Sequence, residues 1–185
     1  MVATRKREEA MLYYLYIMSD GSITTDEEKL FNEICNGLDL EENVKNQVVK
    51  DCVDLYTNED GVMDLIISRQ LDEQLGMGII GGKRDDASLA RITWNLINIG
   101  YADNSFSDQE KEIVRYLVKK WGVRSDIYTE MIDSADTISA LTKQKEWIRK
   151  ALPKNKETIN RLTKVNEDIN RIYEDIKITI NELAL

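Results

Sequence analysis

Four carboxylates at matched positions carry the clearest chemical content of the sequence. Asp20 and Glu27 flank Gly21-Ser22-Ile23-Thr24, and Asp103 and Glu110 flank Asn104-Ser105-Phe106-Ser107. Both stretches run Asp, Gly or Asn, Ser, a large apolar residue, a hydroxyl residue, and Glu three further on, so one pattern is used twice. Carboxylate oxygens are hard ligands suited to Ca²⁺ or Mg²⁺, and two turns facing one another would pool four such groups. A true EF-hand is excluded on ligand count. With Gly21 at the sixth position of such a loop, the first and third positions fall on Tyr16 and Met18, which offer no carboxylate. Ile99 and Tyr101 fail the same test in the second copy. The same residues also have a structural use: Thr24 and Ser107 are spaced to accept from the backbone of Glu27 and Glu110, whose side chains return the bond as a capping box. Acids in a first helical turn are favoured by the helix dipole as well. From spacing alone, helix capping and a loose cation site are both open.

Other chemistry is thin. The 185 residues contain no histidine, so there is no imidazole for general-base work and no Cys/His zinc site. There is no glycine-flanked serine nucleophile and no phosphate loop followed by Lys and Ser or Thr. Gly76 to Gly82 matches the letters G-x-G-x-x-G, but nothing strand-like precedes it, and it reads as a hinge or close-packing loop between the two repeats. Cys35 and Cys52 sit in helical patterns among apolar neighbours and are expected to be buried reduced thiols. Tyr13, Tyr14 and Tyr16 read as core plus rim, and no enzyme activity is expected.

Net charge is −9, with a pI near 4.7, which argues against a nucleic-acid partner because phosphate contacts need clustered Lys and Arg. The acidity belongs to residues 1–135, with 15 Lys+Arg against 26 Asp+Glu; residues 136–185 hold 10 against 8. Arg5-Lys6-Arg7 is followed at once by Glu8-Glu9, so it reads as a solvated helix start rather than a membrane contact. No apolar run approaches the roughly 20 residues that span a bilayer. A cytoplasmic protein without a transmembrane segment is the simplest expectation.

The turns must be positioned by helices, since one proline and nine glycines leave little punctuation. The spacing predicts a first helix from about Arg5 to Met18, with Ala10, Met11, Tyr14, Leu15 and Met18 on one apolar face. A second opens at Thr24, turns Leu30, Phe31, Ile34 and Cys35 inward, and ends on a left-handed Gly37. A third follows Asp39 and buries Val44, Val48, Cys52, Val53 and Leu55. A fourth spans Val62 to Leu75. The second repeat has a helix from about Asp85 to Gly100, another after Ser107 that Gly122 ends, and a short one from Ser125 to Ile132. Composition changes near Ala135, which suggests a bundle over 1–135 and a helical tail over 136–185. In the tail, Pro153 should end or kink a helix, and a long one follows from about Asn155. Its seam of Leu162, Val165, Ile169, Ile172, Ile176 and Leu183, interrupted at Thr179, needs a covering surface. That surface is the acidic domain, a second copy in a homodimer, or another protein.

A helix ending in Ser19-Asp20-Gly21 or Ala102-Asp103-Asn104, then Ile23-Thr24 or Phe106-Ser107, then Glu27 or Glu110, resembles the TerB-like domain of tellurite-resistance proteins. The resemblance covers roughly residues 8–133. It implies an all-α bundle of about seven helices, a bacterial cytoplasmic setting, and a non-enzymatic role in stress resistance or as an adaptor. It also implies a divalent cation at Asp20, Glu27, Asp103 and Glu110. The sequence departs from the family at Ser19, where Ala is favoured, at Asn104, where Gly is favoured, and in its added tail. The alternative expectation is a structural interaction module acting through the C-terminal helix.

Overall fold

Seven α-helices and no strand account for the described residues, so the chain is all-α as expected. The computed structural model describes residues 2–57, 85–103 and 106–184, with the side chains of 2–5, 20, 56 and 57 left aside. The expected helix from Val62 to Leu75, the Gly76–Gly82 loop, and Asn104 with Ser105 lie outside the described residues. The helices are α1 (Val2–Ile17), α2 (Thr25–Gly37), α3 (Glu42–Thr57), α4 (Asp86–Gly100), α5 (Asp108–Trp121), α6 (Ser125–Ala151) and α7 (Lys156–Glu182), and a 3-10 turn, Met18–Asp20, follows α1.

Contacts divide the chain between Val123 and Arg124. In the first unit α1 is the central element, packed on by α2, α3 and α4. Every side chain from Ala10 to Met18 is buried, so the one-sided face expected for this helix is in fact a helix enclosed all round. Tyr13, Tyr14 and Tyr16 all lie in the core, with none on the rim. The physical reason is compositional: a helix without polar positions over two and a half turns has no face to offer water. Tyr14 meets Phe31 of α2 edge-on, with ring centroids 5.2 Å apart.

The two repeats exchange matching contacts. α1 packs on α4, their equivalent first helices; α2 reaches across to α4, and the 3-10 turn ending α1 reaches across to α5. α2 buries a stripe of Glu27, Phe31 and Cys35 at intervals of four, while Leu30 and Ile34 are half-buried at its edge. On α3, Val48 and Cys52 are buried, Leu55 is half-buried and Val53 faces out, because it lies a third of a turn from Cys52. Gly37 does not take the left-handed conformation expected of it. It closes α2 in helical geometry, and the left-handed residue is Asp39, at φ 54°. Aspartate tolerates that region because its short side chain bonds locally. Gly122 does end α5 left-handed, at φ 71°, with its N–H on the Val118 carbonyl.

The second unit is a helical hairpin. The expected break near Ala135 does not occur: α6 runs unbroken from Ser125 to Ala151 with Ile127, Met131, Ala135, Ser139 and Ile148 buried. The compositional shift that placed a domain boundary at 135/136 therefore falls inside a helix. No glycine or proline lies between Ile127 and Ser139, so backbone hydrogen bonding passes through unhindered. Pro153 follows the extended Leu152 that ends α6, as predicted, and Asn155 caps α7 by accepting from the Thr158 backbone N–H at 2.9 Å. α6 and α7 pack along each other.

Candidate functional site

The first acidic turn is built by local bonds. Gly21, at φ 80°, donates its N–H to the Met18 carbonyl at 3.1 Å and turns the chain out of α1. The Glu27 N–H then donates to Thr24 Oγ1 at 3.2 Å, while Thr24 N–H and its hydroxyl both donate to Glu27 Oε2 at 2.7 Å. In the second copy the Glu110 N–H donates to Ser107 Oγ at 3.2 Å and the Ser107 N–H to Glu110 Oε2 at 2.8 Å. Both boxes are complete, and Glu27 and Glu110 are 3% and 2% exposed. Their carboxylates are thus engaged in starting α2 and α5. Asp103 is exposed at its turn, and the side chain of Asp20 lies outside the described ones. Among the described residues no three Asp, Glu or Cys side chains gather to hold a metal ion.

Replacing Thr24 or Ser107 with Ala should each cost about 1 kcal/mol, the usual loss of an N-cap oxygen. Since the boxes start different helices, the double variant should lose the sum, read as a shift in urea midpoint at constant slope. A clearly greater-than-additive loss would show that the two turns depend on one another.

A second cluster escaped the sequence reading. Glu9 of α1, 3% exposed, accepts both guanidinium arms of Arg91 of α4 at 2.6 and 2.9 Å. Tyr13 donates its hydroxyl to Glu9 Oε1 at 2.7 Å and accepts from Asn95 Nδ2 at 3.0 Å. Burial, with the Glu9 charge beside it, pushes the Tyr13 phenol well above its ordinary range, and the Glu9 hydrogen bonds hold the Arg91 guanidinium charged. The cluster is a fixed ionic clasp between the two repeats, in which the phenol stays a neutral donor. The solvated start expected at Arg5-Lys6-Arg7 is corrected at Lys6 and Arg7, which are half-buried and pair with Asp39 and with Asp51 of α3, and the Glu8 and Glu9 that follow are buried. The available signal was Arg91 itself, a lone cation inside Leu89-Ala90-Arg91-Ile92-Thr93-Trp94.

Cys35 and Cys52 are free and buried, as predicted. Desolvation pushes both thiols up to about 12, and Cys52 donates to the Met11 carbonyl at 3.6 Å. Their thiolates are therefore absent from the native state near neutrality. Alkylation by iodoacetamide at pH 8 should be slow in the native chain and rapid in urea; equal rates in both would contradict this burial. The sign for pH follows: stability from the protonated thiols is full below about pH 8.5, where unfolded cysteine ionises, and is lost as pH rises toward about 12.

The predicted interaction seam is covered within the chain. Val165 and Ile176 are buried, Leu162, Ile169, Ile172 and Leu183 are half-buried, and Ile180 is buried beyond the break at Thr179. Thr179 donates its hydroxyl across the hairpin to Glu130 at 3.1 Å. Among the described residues no helix is long and apolar enough to cross a membrane. Comparison with known proteins finds no matching family, curated protein or solved structure.

Proposed function

We propose that the chain is a TerB-like helical module working as a non-enzymatic stress-response or adaptor protein in a bacterial cytoplasm. The observation that carries this reading is the pair of complete capping boxes after α1 and α4, at the positions where the resemblance puts the family's acidic turns. A smaller observation points the same way. The Ser19 hydroxyl is buried with no hydrogen-bond partner among the described residues, so the site suits the Ala that the family favours and that the second repeat carries as Ala102. Ser19→Ala should therefore leave stability unchanged or raise it by up to about 1 kcal/mol, because an unsatisfied buried hydroxyl is costly. A loss of more than that in thermal melting would mean the hydroxyl is used.

On this reading Ca²⁺ or Mg²⁺ is held weakly at the turns. The resemblance implies Asp20, Glu27, Asp103 and Glu110 as its ligands, and Glu27 and Glu110 also serve their caps. Millimolar Ca²⁺, Mg²⁺ or Mn²⁺ should raise the melting midpoint of the full chain, and Asp20→Ala with Asp103→Ala should abolish the rise. Cells lacking the chain should lose tolerance to tellurite or oxidative stress and regain it on complementation. Unchanged tolerance would remove the stress role, and an unchanged midpoint would remove the cation.

One observation favours a second reading, an interaction module acting through its C-terminal helix. Tyr173 and Ile178 of α7 are 40% and 54% exposed, outside the covered seam. Self-association through either exposed side chain should appear as a concentration-dependent mass in light scattering, lost in Tyr173→Ser with Ile178→Ser. A constant monomer mass would leave only a different protein as partner.

A further inference from the structure

The end of the hairpin where α6 passes to α7 differs in charge from the rest of the chain. Residues 143–164 hold 8 Lys+Arg, namely Lys143, Lys145, Arg149, Lys150, Lys154, Lys156, Arg161 and Lys164, against 2 acids, Glu146 and Glu157. That is a local +6 in a chain of net −9, so the remaining residues sum to −15. Glu146 pairs with Lys150 and Glu157 with Arg161, each within its own helix. Among these eight basic residues all but the half-buried Lys145 are exposed. Two large apolar side chains are interspersed with them in sequence: Trp147, one turn before the end of α6, is 57% exposed, and Ile159, in the first turn of α7, is 61% exposed. They are the most exposed large apolar residues of the described chain.

We propose that this hairpin tip docks on an anionic phospholipid surface, with Trp147 and Ile159 entering the interface and the surrounding lysines resting on the headgroups. Each basic residue near such a surface is attracted by its negative potential. A tryptophan is favoured at the boundary between headgroups and acyl chains, and lysine stems reach along apolar surface while their ammonium groups stay hydrated. The side-chain inventory favours lipid over nucleic acid. Six of the eight cations are Lys, which suit a diffuse anionic plane, whereas Arg is the residue of choice for forked phosphate and base contacts. A base could stack on Trp147, but it would leave Ile159 in water. The remaining −15 is on average repelled by an anionic surface, which favours approach by the tip.

The test uses the full chain with vesicles of phosphatidylcholine alone or mixed with phosphatidylglycerol. Sedimentation should recover the chain with the mixed vesicles only, less of it as salt is raised, with a blue shift in tryptophan emission. Trp94 is buried and Trp121 is partly buried, so that shift reports on Trp147. Arg149→Glu with Lys154→Glu should weaken binding about tenfold or more. Trp147→Ser with Ile159→Ser should weaken it without any change in charge. All four side chains are exposed, and unchanged circular dichroism and melting would show that the fold is intact. Equal binding to neutral vesicles, or indifference to the charge reversal, overturns the proposal. Indifference to the apolar pair overturns the insertion of Trp147 and Ile159. Salt-sensitive binding of a random-sequence single-stranded DNA with no vesicle binding assigns the tip to nucleic acid instead.

Discussion

Arg91→Ala is expected to lower the stability of the chain by about 3–5 kcal/mol, the usual cost of removing one member of a buried ion pair. The effect should be asymmetric. The Glu9 carboxylate is 4% exposed and the Arg91 side chain 40%, so removing the arginine strands the buried partner, whereas removing the carboxylate strands a group that can still reach water. Glu9→Gln should therefore cost less, about 1–2 kcal/mol, since the amide can still accept from Arg91 and Tyr13. Arg91→Lys should fall between, because an ammonium keeps the charge but not the two parallel bonds at 2.6 and 2.9 Å. Replacing both residues with apolar ones of similar volume should recover most of the loss of Arg91→Ala, since a buried pair contributes little net stability over a well-packed apolar pair. Urea unfolding of the four variants measures the series. If Arg91→Ala lies within about 1 kcal/mol of the parent, Glu9 is not held by Arg91 in solution and the clasp between α1 and α4 is not a stability element.

That clasp marks the limit of what a linear reading of this chain can reach. The capping boxes were legible because their partners lie three residues apart, Thr24 with Glu27 and Ser107 with Glu110, and local spacing determines the bond. Pro153 and Gly122 were legible for the same reason, each acting on its own turn of backbone. Glu9 and Arg91 lie far apart in sequence, and nothing local to Glu8-Glu9 distinguishes a buried acid from a solvated one. The enclosure of α1 was understated because helical periodicity looks for one apolar face, and a helix apolar on every side shows none. The false break near Ala135 arose from reading a change of charge as a change of structure. Charge composition governs solubility and partners, while the continuity of α6 depends on backbone hydrogen bonds that no residue between Ile127 and Ser139 interrupts. The two repeats also hid a difference: Ile23 is 43% exposed, whereas its counterpart Phe106 is 8% exposed.

Gly100→Ala tests how the second repeat accommodated that ring. A Cβ at Gly100 would lie 2.6 and 2.8 Å from two ring carbons of Phe106 and 2.7 Å from the Tyr16 hydroxyl, all well inside the roughly 3.5 Å at which carbon atoms attract. Neither neighbour has an easy retreat. Tyr16 is fully buried, and the Phe106 ring is held 4.9 Å from that of Tyr101. Alanine would gain about 1 kcal/mol of helix propensity at the end of α4, while overpacking costs about 1–3 kcal/mol. The clash should win, with a net loss of up to about 2 kcal/mol in denaturant unfolding. Gly37→Ala supplies the opposite sign, because its added Cβ meets nothing within 4 Å and its φ is helical, so a small gain is expected. The first repeat carries Ile17 at the position of Gly100 and Ile23 at the position of Phe106, which suggests that the large ring and the missing side chain are one compensated change. Gly100→Ala combined with Phe106→Ile should then be less destabilised than the sum of the two single variants, a coupling expected only for residues that share the same space. Strict additivity would mean that Gly100 is accommodating something other than Phe106, and Tyr16 would be the next side chain to vary.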